Sequence, residues 1–336
     1  MALPDTLDSA WYGGGRIPWW ARPLAALYGA ATGLRRWLFR HGWLRSQRLP
    51  VPVIVVGNLT AGGAGKTPLT IALAAELRRR GYTPGVVSRG YGGTQREPLL
   101  LDADPDPARV GDEPCLIRAS GTPVAVGRDR PAAARLLLAA GCDVVLADDG
   151  LQHYRLARDV EICVVDGGRR FGNERLLPAG PLREPLRRLQ QVDLRVSNGG
   201  APASGEFPMT LRGDLAINLL DARERPLGAF AGGRVHAVAG IGHPQRFFAS
   251  LRGAGLAPIE HRFADHHRFT AEELAFVPVL PLLMTDKDAI KCRQFAQADW
   301  WRVPVSAQLP EEFFEQLLRH LNRANRTRRP AAGGKH

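Results

Sequence analysis

Lysine is almost missing from this chain. Of its 45 basic residues in a length of 336, only Lys66, Lys287, Lys291 and Lys335 are lysines; the rest are arginines. Arginine therefore supplies positive charge wherever a plain charge suffices. A lysine retained inside a glycine loop, as Lys66 is, points to a position that needs a compact ammonium. Cysteine is scarce as well. Cys115, Cys142, Cys163 and Cys292 show no C-x-x-C spacing, and Cys142 and Cys163 lie in or beside apolar runs. Free buried thiols in a reducing compartment fit this pattern; disulfides and zinc are the competing readings. Long apolar runs are absent: the longest early uncharged stretch, Pro23 to Leu34, falls short of the roughly 20 residues that cross a bilayer. The opening MALPDTLDSAWYGGG has neither a basic start nor a long apolar core, so a cytoplasmic protein without an export signal is expected. No nucleic-acid-binding module is visible, and the arginines are spread rather than focused, so no nucleic-acid partner is expected. The net charge of +12 instead favours phosphorylated substrates or an acidic membrane surface.

The residues that are present read as alternating strands and helices. Leu24, Leu27, Ala31, Leu34 and Leu38 share one face of a helix from Pro23 to about Arg40, with Arg35, Arg36 and Arg40 near its end and Trp19, Trp20, Trp37 and Trp43 around it. A membrane-interface helix and a helix packed on the protein's own core both fit. From Val51 short β-branched runs (VPVIVVG, PGVVSRGYGG, TPVAVG, CDVVLADDG, VEICVVDG, VDLRVSN) alternate with helices at Lys66 to Arg80 and Pro131 to Ala140. This predicts a P-loop NTPase-like, doubly wound, mostly parallel α/β sheet. GGAPASG, Gly199 to Gly205, reads as a linker to a second, smaller α/β unit. There VHAVAGIG, PIEHRF, PLLMTDKD and WRVPVSA are strands, PQRFFASLRGAG a helix, and TAEELAFV a helix opened by a Thr270/Glu273 capping box; Pro310 to Asn325 closes the chain as a helix. The expected division is an N-terminal segment 1–48, a P-loop unit 49–205, a second α/β unit 206–325 and a disordered tail 326–336.

VVGNLTAGGAGKTP, Val55 to Pro68, comes close to G-x-x-x-x-G-K-[ST], with Thr60 where the opening glycine belongs. Strand, loop and helix lie in the required order. Main-chain amides of Gly62, Gly63, Ala64 and Gly65 can wrap a β-phosphate, Lys66 can reach the β- and γ-phosphates, and Thr67 can hold Mg²⁺. An apolar strand ending in Asp148-Asp149-Gly150 supplies a carboxylate for the same metal, either aspartate being in place to do so. GDEP (Gly111 to Pro114), LQHYR (Leu151 to Arg155) and ADHHRF (Ala264 to Phe269) are polar clusters that loops could aim at a nucleotide. A carboxylate or imidazole among them could take a hydroxyl proton. Asp265, His266 and His267 also admit a zinc reading, and TDKD (Thr285 to Asp288) superficially resembles a guanine-reading motif, although the order differs and a polar strand end accounts for it better.

Taken in order, VGNLTAGGAGKTP, SRGYGG, GDEP, ADDGLQHYRLARDVEICVVDG, FGNERLLPAGPLREP, FADHHRF and LMTDKDAIKC, running from about Pro50 to Cys292, resemble the tetraacyldisaccharide 4′-kinase family of lipid A biosynthesis. Threonine at the opening position of the loop is typical of that family. The resemblance implies an ATP- and Mg²⁺-dependent kinase that phosphorylates the 4′-hydroxyl of a tetraacyldisaccharide 1-phosphate to give lipid IVA. It also implies a catalytic cleft between two α/β units and an N-terminal helix that meets the membrane. The protein would be a peripheral monomer on the cytoplasmic face of the bacterial inner membrane, acting on an anionic glycolipid. Carried over by motif, Thr60, Gly62, Gly63, Ala64, Gly65, Lys66 and Thr67 bind ATP, with Gln152 and His153 close by. Thr67, Glu113, Asp148 and Asp149 meet Mg²⁺. Lys66, Asp112 and His266 carry the chemistry, with His267 the alternative imidazole.

Overall fold

The computed structural model describes residues 5–328, with side chains from Leu7 onward. Fifteen strands are present among them: β1 (Val53–Gly57), β2 (Pro84–Ser88), β3 (Leu99–Leu100), β4 (Val124–Val126), β5 (Val144–Ala147), β6 (Val160–Asp166), β7 (Leu194–Asn198), β8 (Phe207–Arg212), β9 (Leu215–Asn218), β10 (Glu224–Pro226), β11 (Arg234–Ala239), β12 (Ala257–Arg262), β13 (Leu282–Thr285), β14 (Trp300–Val303) and β15 (Ser306–Gln308). The helices are α1 (Asp5–Tyr12), α2 (Ala21–Arg40), α3 (Lys66–Arg79), α4 (Pro107–Val110), α5 (Asp112–Ala119), α6 (Arg130–Ala139), α7 (Pro244–Gly253), α8 (Asp286–Cys292) and α9 (Glu311–Arg328).

The strands form two sheets, nine-stranded in the order β15-β8-β7-β6-β1-β5-β2-β4-β3 and six-stranded in the order β10-β9-β14-β13-β11-β12. Every pairing from β4 through β1 to β8 is parallel, and antiparallel β3 and β15 close the two edges. The central strands are buried along their whole length, as continuous apolar runs require when helices cover both faces of a sheet. One face packs Ile54, Leu69, Leu73 and Leu146 against Phe313 and Leu317; the other packs Val55 and Val145 against Leu137 and Leu151. Strand β1 lies between β5 and β6, with Val55 level with Ala147, so the loops after β1 and β5 emerge side by side at the carboxyl end of the sheet. That is where open α/β sheets hold ligands.

The expected boundaries of the second unit change. Residues 206–212 and 306–325 belong to the first sheet: β8 pairs with β7, β15 pairs with β8, and α9 packs Phe313, Leu317 and Leu321 into the first core. The second unit is thus an insertion spanning β9 to β14. Its entry and exit run side by side: Arg212 pairs with Ser306, and a Cβ on Gly213 would lie 2.9 Å from the Pro304 carbonyl. WRVPVSA, expected as one strand, is two strands in different sheets, divided at Pro304, which has no N–H to donate to a ladder. The Thr270/Glu273 capping box forms, with reciprocal bonds of 3.0 and 3.3 Å, but it opens only a single 3₁₀ turn, Glu272–Leu274, because Pro278 lies close downstream. Residues 326–328 are the last turn of α9 rather than tail; the remainder of the expected tail, 329–336, lies outside the described residues.

Helix α2 turns its apolar stripe outward. Leu24, Leu27, Leu34 and Trp37 are exposed, and Trp19 and Trp43 expose 84% and 75% of their surface. The protein-facing side instead carries Ala21, Tyr28 and Arg36, with the Tyr28 hydroxyl donating to the Arg183 carbonyl at 3.0 Å. A helix packed on the core through its leucines is therefore not what forms. No described helix is long and apolar enough to cross a membrane.

Candidate active site

The loop between β1 and α3 takes the shape of a phosphate cradle. Gly62 and Gly65 hold φ of +98° and +92°, a region open to glycine. Thr60 is not left-handed; it forms an antiparallel bridge with Leu182, which explains why a β-branched residue is accepted at the opening position. Asn58 ties the loop together. Its Nδ2 donates to the Gly62 carbonyl (3.3 Å) and Thr60 Oγ1 (3.4 Å), and its Oδ1 accepts from Lys66 Nζ (3.3 Å). From β7, Asn198 Nδ2 donates to the Ala64 carbonyl at 3.0 Å. Lys66 and Thr67 open α3, both buried, with Lys66 Nζ 3.6 Å from Asp149 Oδ1.

The two aspartates after β5 have different surroundings. Asp148 is wholly buried; Oδ1 accepts from Thr70 Oγ1 at 3.1 Å and Oδ2 has no partner. Burial, and then the nearby Glu113 carboxylate, push its pKa up to about 7. Asp149, at φ +46°, accepts from Arg183 Nη1 at 2.9 and 3.0 Å. Burial acts to raise its pKa, but Lys66, Arg183 and Arg130 outweigh it and hold the carboxyl ionised.

Facing this loop, GDEP is the start of a helix rather than a loop: Gly111 at φ +92° leads directly into α5, so Asp112 and Glu113 lie in its first turn. Asp112 Oδ2 is 3.1 Å from His266 Nδ1, a contact between the first turn of α5 and the loop after β12. Lys291 Nζ is 3.7 Å from the same oxygen. Burial works to raise the Asp112 pKa, yet the His266 hydrogen bond, Lys291 and Lys287 bring it below the usual carboxylate range. His267 turns away to Glu273 at 3.1 Å. Asp265, His266 and His267 therefore do not converge as a zinc site would require. TDKD does not read a base either: Asp286 pairs with Arg302, and wholly buried Asp288 binds the Gly240 amide (2.8 Å), Thr285 Oγ1 (2.6 Å) and Lys291 (2.8 Å). All four cysteines are free and buried.

A family model for tetraacyldisaccharide-1-P 4′-kinase matches residues 17–322. The chain belongs to this family. Tetraacyldisaccharide 4′-kinases of Stenotrophomonas maltophilia and Xanthomonas axonopodis pv. citri are 53% and 54% identical to it, each match covering 93% of this chain and 96% and 95% of the relative. The crystal structure of an "apo" form LpxK from Aquifex aeolicus in complex with ATP superposes with a TM-score of 0.75 at 29% identity, covering 89% of this chain and 98% of that one. This protein is accordingly a lipid A 4′-kinase, a phosphotransferase that acts on a hydroxyl.

The kinase gathers Lys66, Thr67, Glu113, Asp148 and Asp149 around one cleft with Asp112 and His266. Gln152 and His153 sit at the base of the loop rather than along it. The Gln152 amide is taken up by the Asn58 carbonyl and Glu184, both at 3.2 Å. His153 is held neutral, its pKa lowered to about 3 by burial and then by Arg130 and Arg158. Arg183, Arg130, Lys287 and Lys291 join the site as well, none of them expected from the sequence. For Lys287 and Lys291 a signal existed: they are two of only four lysines in an arginine-rich chain. The oxygens available suit Mg²⁺. Among the described residues no group of three or more His, Cys, Asp or Glu could hold a metal unaided, and Mg²⁺ in kinases takes one or two carboxylates and completes its shell with phosphate and water. The unpartnered Asp148 Oδ2 is the buried acceptor such an ion would satisfy.

Proposed function

We propose that the cleft transfers the γ-phosphoryl of ATP to the 4′-hydroxyl of tetraacyldisaccharide 1-phosphate, with the labour divided among three groups of residues. The amides of Gly62, Gly63, Ala64 and Gly65 and the Lys66 ammonium hold the ATP phosphates. Thr67, Asp148 and Glu113 hold Mg²⁺, while Asp149, committed to Lys66 and Arg183, orients the lysine. Bound Mg²⁺ would neutralise charge building on the transferred group. Asp112 takes the proton as the 4′-oxygen bonds to phosphorus and the bond to ADP breaks. His266 steadies Asp112 from across the cleft, so the base is complete only when the two units meet, which restrains ATP hydrolysis in the absence of acceptor. The observation that carries this reading is the 3.1 Å Asp112–His266 contact opposite the Lys66 loop.

The outward apolar stripe of α2, with Trp19, Trp37 and Trp43 and flanking arginines, supports peripheral attachment to an anionic bilayer, where the substrate resides. With ATP as donor, that surface is the cytoplasmic face of the inner membrane, and the working form is a monomer. The test is direct: purified protein with ATP, Mg²⁺ and the disaccharide 1-phosphate lipid in detergent, with the product read by mass spectrometry. A preparation that binds ATP but forms no 4′-phosphorylated product refutes the reading.

A further inference from the structure

The stretch Thr285 to Asp288 has no part in that division of labour, yet Lys287 reaches into the middle of the site. Its Nζ lies 3.1 Å from Asp265 Oδ1, 3.4 Å from His266 Nε2 and 3.6 Å from Glu113 Oε1. An ammonium has three N–H groups and no lone pair; here it donates to Asp265 and His266 and lies within ion-pair range of Glu113. His266 Nε2 therefore faces a group that can only donate, and must itself accept. Its Nδ1 faces the Asp112 carboxylate, which in the ionised form can only accept, so Nδ1 carries the proton. We infer that Lys287 is a positioning residue that fixes the His266 tautomer, holding its proton on Nδ1 and aiming that N–H at Asp112.

The charges around the ring give this contact its consequence. His266 is faced by Asp112 at Nδ1, by Lys287 and Asp265 (Oδ2 at 3.9 Å) at Nε2, and by the Tyr91 ring at 5.2 Å between centroids. Lys291 touches Asp112 but is tied to Asp288 at 2.8 Å, so it does not reach the imidazole. Without Lys287, nothing at Nε2 selects the Nδ1–H tautomer, so the ring can hold its proton on the other nitrogen and lose its hydrogen bond to Asp112.

This inference rests on Asp112 being the base, and the experiment separates the two. The full-length protein is labelled with ¹⁵N,¹³C-histidine, and the His266 signals are assigned by their loss in His266→Gln. The wild type should show the Nδ1–H tautomer; in Lys287→Met the Nε2–H tautomer should appear. In parallel, kcat of Lys287→Met should fall at least about tenfold while KM for ATP changes less than about threefold. An Nε2–H or doubly protonated ring in the wild type, or the same His266 signals in both proteins, overturns the inference. If Lys287→Met does not fold, the wild-type tautomer alone decides. Full turnover by Asp112→Asn would instead overturn the base reading and leave the tautomer result standing.

Discussion

Replacing Gly65 with alanine places two separate penalties on the phosphate cradle, and the structure allows them to be told apart. The first is backbone strain. Gly65 sits at φ +92°, where an L-residue costs about 1–2 kcal/mol. The second is steric. A Cβ there would lie 2.3 Å from Asn198 Nδ2, which is held in place by its bond to the Ala64 carbonyl. Pushing Asn198 aside costs roughly 1–3 kcal/mol of overpacking and about 1 kcal/mol for the lost hydrogen bond. The single substitution should therefore cost about 3–6 kcal/mol, or on the order of 6–24 °C in melting temperature if the P-loop unit melts like a domain of 150–250 residues. Asn198→Ala alone loses the hydrogen bond, about 1 kcal/mol. Gly65→Ala with Asn198→Ala removes the clash and keeps only strain plus the lost bond, about 2–3 kcal/mol, so the double variant should be more stable than Gly65→Ala alone. Thermal melts of the four proteins, with ATP titrations of each, give the cycle. Additive losses, with no recovery of stability or ATP affinity in the double variant, would refute the claim that Asn198 is the wall against which this glycine is required.

Asp112→Asn should lower kcat by about 10²–10⁴ with KM for ATP within about threefold, since its side chain is engaged by His266 and Lys291 rather than by the P-loop; steady-state kinetics against ATP decide it. His266→Ala should cost at least about tenfold in kcat, whereas His267→Ala, whose ring serves Glu273, should stay within about threefold. Asp148 gives a pH signature. Its pKa is raised to about 7 from the ordinary 3.8, so the folded state holds the proton longer than the unfolded one. Its contribution to stability is then neutral below about pH 4 and increasingly unfavourable as pH rises through 7. Asp148→Asn, which keeps an acceptor for Thr70, should melt higher than the wild type at pH 8 without Mg²⁺, show a smaller advantage at pH 5, and turn over no substrate. A variant that melts lower at pH 8 would contradict this.

The chemistry-bearing strand ends were legible because their physics is local. A glycine loop between a buried β-branched strand and a helix, and an apolar strand ending in paired aspartates, specify a site without reference to anything distant. Asp112 was found with its motif, but its helix was not: Gly111 takes a φ that only the fold reveals, and α5 begins at once. The boundary of the second unit could not be read either. Nothing local in FPMTLR or SAQ says that Phe207 and Ser306 pair with strands of the first sheet, nearly a hundred residues apart from each other. Choosing between His266 and His267 also needed coordinates, because both come after the same strand and only the left-handed turn at His266 (φ +62°) aims one of them at Asp112.

The insertion is joined to its host by two peptide segments lying against each other, one leaving after Arg212 and one returning before Ser306. Two crossings rather than one tie the insertion, so fewer orientations against the host are open to the unit that carries His266 than a single linker would allow, and bringing its imidazole to Asp112 costs correspondingly less entropy.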